Sequence, residues 1–259
     1  MTRQYPTHIY DPQRIEIATG LIQHEFRHLF QSIPEALWPA LDRDIAGWFD
    51  GDKYDLAPAH DFWNATDAIM RGFKLKGVVK YITAENATWR LADVPVIDID
   101  ISWKLPPLAP LGDPPYDTRE LKKRIATDPQ LYRNLTINSD FHAATTVPRD
   151  HYPVLLLSNG GRIKIADGNR RVLRALLHDR RTIRAWQAEW PADQPLRNYW
   201  VSTAFLRELG EQALVAQAAN NQPVLTSLRE LIHSLFEQST IARTNFDLRV
   251  KDKYSLLEF

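Results

Sequence analysis

Residues 153–189, PVLLLSNGGRIKIADGNRRVLRALLHDRRTIRAWQAE, constrain the fold more than any other stretch of the chain. An apolar run, Pro153–Leu157, meets Asn159-Gly160-Gly161, and a second run, Arg162–Ala166, follows. Two strand-like runs around Asn-Gly predict a β-hairpin. Asp167-Gly168-Asn169 then breaks the strand, and helical spacing takes over from Arg170 to His178. Val172, Leu173, Leu176 and Leu177 fall on one side of that helix, and Arg170, Arg171, Arg174 and His178 on the other. A further strand is predicted at Thr182–Glu189.

The charge at the helix start is unusual. First turns favour carboxylates, because the amides there carry partial positive charge. Here two arginines follow a flexible Asp-Gly-Asn loop. Open amides, arginines and a glycine that admits close backbone approach together describe a phosphate site built from Gly168, Asn169, Arg170, Arg171 and Arg174. The competing explanation is a surface helix with a solvated basic face.

Whole-chain properties narrow the classes. The 32 Lys+Arg balance the 32 Asp+Glu, so any nucleic-acid contact must come from a local patch. There is no cysteine, which removes disulfides, thiolate nucleophiles and Cys-based metal sites. No apolar run approaches the roughly 18–20 residues of a membrane span, and the first residues, MTRQYPTHIYDPQRIE, lack an apolar signal core. A soluble, cytoplasmic, microbial protein is expected.

Along the chain, helices are predicted at 14–33, from 34 or 35 to 49, and at 61–71. The first contains His24-Glu25-Phe26-Arg27-His28, the H-E-x-x-H spacing of zinc hydrolases. Both histidines project away from the Ile22/Phe26/Phe30 face, and no third ligand stands out, so a polar helix face is preferred. Residues 73–92 read as a strand or hairpin with Glu85-Asn86 in the turn. Val94–Trp103 reads as one strand, with Val96, Asp98 and Asp100 on one face and Ile97, Ile99 and Ile101 on the other. Two aspartates so placed can bind a divalent cation, but a solvated strand face is the commoner outcome. The Pro-rich 104–117 is a loop. Asp117 or Thr118 caps a helix over Arg119–Ala126. Residues 136–152, with Asp140, His142 and His151, read as a polar loop. Beyond residue 190, helices are predicted at Val201–Gly210, Glu211–Ala219 and Leu225–Gln238, followed by a mixed tail.

Strand, hairpin, strand, Asp167-Gly168-Asn169-Arg170-Arg171, helix and strand together resemble the ParB/sulfiredoxin superfamily, whose members carry a D-G-x-x-R or G-E-R-R type loop between a strand and a helix. Val94–Trp103 resembles the family's first strand and Arg119–Ala126 the helix after it, so the likeness spans roughly residues 94–190. It implies a mixed-sheet nucleotide-binding domain at 93–190, and with the spacing read above, mostly helical at 1–92 and helical at 191–259, an α+β chain is expected. It also implies a nucleoside triphosphate, ATP or another, held by the Asp167–Arg171 loop. The missing cysteine excludes sulfiredoxin chemistry, and the segment after Glu189 lacks a helix-turn-helix signature.

Two functions then compete. One is an ATP-dependent kinase with Mg²⁺, in which Asp167 is base or metal ligand, Asp98, Asp100, Asp140 and His142 are candidates for a second catalytic group, and the acceptor is a hydroxyl, for instance on a hydroxymethylated base in phage DNA. The other is a non-catalytic nucleotide- or DNA-binding module. Arg162, Lys164, Arg180, Arg181 and Arg184, with Trp186 and Trp190 nearby, form the patch on which DNA could lie.

Overall fold

A computed structural model describes residues 5–29, 56–73, 75, 77–104, 106–144 and 152–257. The chain opens with a 3₁₀ turn (Thr7–Tyr10) and helix α1 (Pro12–Leu29), followed by α2 (Leu56–Gly72) and α3 (Val78–Thr83). Strand β1 (Thr88–Pro95), a 3₁₀ turn (Val96–Asp98), β2 (Ile99–Ile101), a second 3₁₀ stretch (Pro106–Leu111), β3 (Tyr116–Asp117), α4 (Thr118–Thr127) and α5 (Pro129–Ala144) come next. The central segment forms β4 (Val154–Ser158), β5 (Ile163–Asp167), α6 (Asn169–Leu177) and β6 (Thr182–Glu189). Helices α7 (Thr203–Ala218), α8 (Gln222–Gln238) and α9 (Thr240–Arg249) lead to a 3₁₀ segment, Lys251–Leu257. The predicted helix at 34–49 lies outside the described residues. The described chain is α+β, and none of its helices is long and apolar enough to cross a membrane.

The described residues fall into two compact units, one drawn from Met1–Thr19, Ala40–Ala87 and Leu196–Phe259, the other from Gly20–Pro39 and Thr88–Pro195. The second holds a six-stranded mixed sheet in the order β1-β6-β4-β5-β2-β3. β4 and β5 form the predicted antiparallel hairpin, and β4 runs parallel to β6. The apolar run of β4 reads as it does because the strand is central: Val154 to Leu157 are all buried. Helix α6 turns Val172, Leu173, Ala175, Leu176 and Leu177 inward, as its spacing predicts, against Ile99, Ile101, Leu121, Leu135, Val154 and Ile165. Helix α4 starts where expected, with the Asp117 carboxylate accepting from the amides of Arg119 (2.7 Å) and Glu120 (3.3 Å).

Several expectations are corrected. Residues 78–83 are helical, not strand-like: Val78, Val79, Ile82 and Thr83 all bury one helical face, and Gly77 starts the helix at φ 84°. Tertiary burial there overrides the β preference of branched residues. Val94–Trp103 is not one strand. Pro95 ends β1, the 3₁₀ turn follows, and three strands separate β2 from β1 in the sheet. The two predicted faces are lost with it: Ile97 is exposed and Asp100 is buried. Residues 136–144 continue α5, where the Thr136 hydroxyl donates to the Tyr132 carbonyl (2.9 Å). Helix α7 is continuous through Gly210, and α2 begins before Pro58, which sits in its first turn where no amide donor is needed.

The first unit is helical. Its core includes Ile9, Phe62, Trp63, Met70, Ile82, Leu206, Phe236 and Phe246, and the Trp63 indole donates to the Ile9 carbonyl at 3.1 Å. Two histidines are held neutral inside it. His8 Nε2 lies 2.8 Å from the Thr83 carbonyl and 2.9 Å from that of Asn198, and His60 Nε2 lies 3.1 Å from Thr203 Oγ1. Burial holds both imidazoles below their ordinary pKa of 6.5. Below about pH 6.5 the unfolded chain therefore takes up protons that the folded chain refuses, so stability is full above that pH and falls as pH drops toward the folded values. The urea midpoint should be lower at about pH 5 than at about pH 7.5, and His60→Gln should flatten the slope. A pH-independent midpoint would contradict the burial of both rings.

Candidate anion-binding site

Four arginines meet at a recess of about 130 Å³ bordered by β4, α6 and β6. Arg171 and Arg174 are one turn apart on α6, Arg180 lies in the turn that follows, and Arg184 stands two residues after Thr182 on the same face of β6. Thr182 and Tyr152 add hydroxyl-bearing side chains, and the remaining lining (Val154, Ala175, Ile183) is apolar. The described lining holds no carboxylate. Arg184 also pairs across the β1–β6 ladder with Asp93 at 3.3 Å, an exposed contact worth little in water.

Tyr152 is fixed from α1. A Cβ on Gly20 would stand 2.5 Å from the tyrosine ring, so only glycine admits the approach. One turn later His24 stacks on the same ring, with centroids 5.4 Å apart and planes at 25°. The first histidine of the H-E-x-x-H stretch thus meets an aromatic ring, and the side chain of His28 lies outside the described ones. No group of three or more His, Asp or Glu able to hold a metal occurs among the described residues.

The loop before α6 is more heavily committed than its sequence suggests. Gly168 adopts φ 105° and no side chain caps the helix. Asn169 accepts from the Ser102 amide (2.9 Å), tying the loop to the end of β2. Arg171 pairs with Asp167 (2.6 Å) and donates to the Tyr152 carbonyl, and neither side chain of the pair is more than 14% exposed. Arg170 turns the other way, its guanidinium 5.2 Å from the ring centre of Trp103, and burial lowers its pKa from the ordinary value. Magnesium favours several oxygen ligands and keeps its own waters. A lone carboxylate already neutralised by an arginine does not fit a resident Mg²⁺.

Asp98, Asp100, Arg162, Lys164 and Arg181 are not among the lining residues of the recess. Asp98 pairs with Arg119. Arg162 bridges Asp100 (2.6 Å) and Asp117 (3.0 Å), which satisfies the buried Asp100 and removes Arg162 from any open patch. Lys164 is exposed on β5 and Arg181 is exposed before β6. Asp140 and His142 lie on α5, with their side chains outside the described ones. Trp186 is a core residue, 6% exposed. So the structure brings Arg180 and Arg184 of the predicted patch together with Arg171 and Arg174 of the predicted phosphate site, and leaves Arg162, Lys164 and Arg181 out. Tyr152, Thr182 and Trp103 were not singled out from sequence; the Thr-x-Arg alternation at the start of β6 was the available signal for Thr182. Comparison with protein-family models, curated proteins and solved structures returns no match for the chain.

Proposed function

We propose that the protein binds the phosphate groups of a nucleotide in the recess between α6 and β6, as a nucleotide-binding module on a ParB/sulfiredoxin-like fold. The observation that carries this reading is the convergence of Arg171, Arg174, Arg180 and Arg184 on one space without a carboxylate among its described lining. Guanidinium groups present planar, forked donors that match phosphate oxygens. A space of about 130 Å³ takes a phosphoryl group or two, whereas a whole drug-sized ligand needs roughly 300 Å³ or more. The nucleoside of such a ligand therefore lies outside the recess. The Asp167–Arg171 loop supports the same reading by its resemblance to the superfamily's phosphate loop.

Phosphoryl transfer from ATP is the catalytic extension of this reading. Asp167 is its carboxylate, because Arg171 is the one partner of Asp167 among the described residues and also lines the recess. A phosphate that drew Arg171 away would free that carboxylate to accept a hydroxyl proton.

Thermal unfolding with and without nucleotide tests binding. A ligand at about one hundred times its Kd stabilises by about 2.7 kcal/mol, a shift of several degrees in Tm. ATP or another nucleoside triphosphate should raise the Tm of the wild-type chain, and Arg174→Gln/Arg184→Gln should abolish the rise. A double variant that responds like wild type contradicts the reading. Labelled γ-phosphate separates the two forms: transfer to a hydroxyl that Asp167→Asn abolishes identifies a kinase, and binding without transfer identifies the module.

A further inference from the structure

Trp103 is exposed where the sequence offers no structural reason for it. It follows β2, its residue is 48% exposed, and the Arg170 guanidinium covers its ring at 5.2 Å from the centroid. The Arg170 side chain keeps its Nε buried without a hydrogen-bond partner. A guanidinium thus lies over an indole that is about half exposed. Burying a charged group without a hydrogen-bond partner is costly, and a surface indole forgoes about the most apolar area any side chain offers.

The stretch that carries Arg170 is basic: residues 162–184 hold eight Lys or Arg and two Asp, and of these Arg162, Arg171 and Arg184 are paired with carboxylates. Arg170 itself is next in sequence to Arg171, which opens the arginine recess on the other side of α6. A ligand that repeats a planar ring and a negative charge along its length matches this layout. Single-stranded nucleic acid does so at every residue, and its unstacked bases are available to an aromatic face. A duplex has already stacked its bases and presents phosphates alone to such a surface.

We propose that single-stranded nucleic acid binds at the first turn of α6, stacking a base on Trp103 and placing a phosphate on Arg170. This inference stands on Trp103 and Arg170 and does not require the recess to be a nucleotide site. Fluorescence anisotropy of a labelled oligo(dT) of about 15 nucleotides tests it. The wild-type chain should bind, and the affinity should fall as salt rises. Trp103→Ala should weaken binding about tenfold or more, while Trp103→Phe, which keeps a ring, should lose less than about threefold. Arg170→Gln should weaken binding and lower the salt slope by about one. The tenfold effect should persist in the Arg174→Gln/Arg184→Gln background, which separates this surface from the nucleotide reading. Tm measurements establish that each variant is folded; should Trp103→Ala unfold, Trp103→Phe and Arg170→Gln decide between retained and altered binding. No binding by the wild type at low salt, equal binding by wild type and a folded Trp103→Ala, or equal binding of single strand and duplex would overturn the proposal.

Discussion

Gly168→Ala is expected to destabilise the sheet-bearing unit by about 2–5 kcal/mol, the sum of a left-handed backbone penalty and overpacking. Gly168 sits at φ 105°, and a Cβ there would stand 2.5 Å from Val154 Cγ1 and 2.8 Å from Val154 Cβ. Val154 is a buried, β-branched residue of the central strand and has little room to move. The loop must therefore run flat against β4, which is also what brings Arg171 to Asp167 and to the rim of the recess. Gly112 is the control. It has φ 93° but nothing within 4 Å of its added Cβ, so Gly112→Ala should cost only the backbone part, about 1–2 kcal/mol. Urea denaturation of the two variants measures the difference. Adding Val154→Ala to Gly168→Ala removes the 2.5 Å contact with Cγ1 and keeps the 2.8 Å contact with Cβ, so it should relieve the clash in part and make the pair non-additive. Equal losses for Gly168→Ala and Gly112→Ala would mean that Val154 does not press on the loop.

Arg14→Leu is expected to cost the helical unit about 3–5 kcal/mol, the range for removing one partner of a buried ionic network. Arg14 is 6% exposed on α1. Its guanidinium donates to the carbonyls of Ile82 (2.6 Å), Ala84 (2.7 Å) and Ala87 (2.9 Å), clasping the chain as it leaves α3 for β1. Asp11 stands 3.4 Å away and balances part of the charge. Removing the arginine leaves three inward carbonyls without a donor, and each such group costs about 1–3 kcal/mol unless water reaches it. Arg14→Lys should recover little, since one ammonium does not reproduce a planar fork spread over three acceptors. Chemical denaturation checks both variants, and a loss below about 1 kcal/mol for Arg14→Leu would show that the clasp is not needed.

The central hairpin, helix and strand were legible because their signals are local. Asn159-Gly160 marks the turn, the Leu/Val spacing of α6 marks its buried face, and Thr182–Glu189 holds its strand character throughout. The break at Pro95 was not read, because Val94–Trp103 carries strand propensity on both sides of the proline. What separates β1 from β2 is the placing of β6, β4 and β5 between them, which is a property of the sheet order. Helix α3 is six residues long, too short for helical and strand periods to be told apart. Nothing local in the sequence marks Arg14, since its three carbonyl partners lie about seventy residues along the chain.

The candidate site divides the same way. Arg171 and Arg174 were visible as one basic stripe on α6. That Arg180 and Arg184 join them depends on β6 lying beside β4, and that Tyr152 closes the space depends on Gly20 and His24 in a helix more than 120 residues earlier. Asp167 read as base or metal ligand in sequence, and its pairing with Arg171 becomes apparent only once the strand-to-helix turn places them together.

Isothermal titration calorimetry of ATP into the wild-type chain and into Arg174→Gln/Arg184→Gln bears most directly on the arginine recess. The wild type should show one site per chain whose affinity weakens with added salt, and the double variant, still folded by its Tm, should lose at least about tenfold in affinity, as expected for removing two charge-assisted contacts. Nucleotide binding of equal affinity in the two proteins, or none in the wild type for any nucleoside triphosphate, would contradict the assignment of this recess to phosphate.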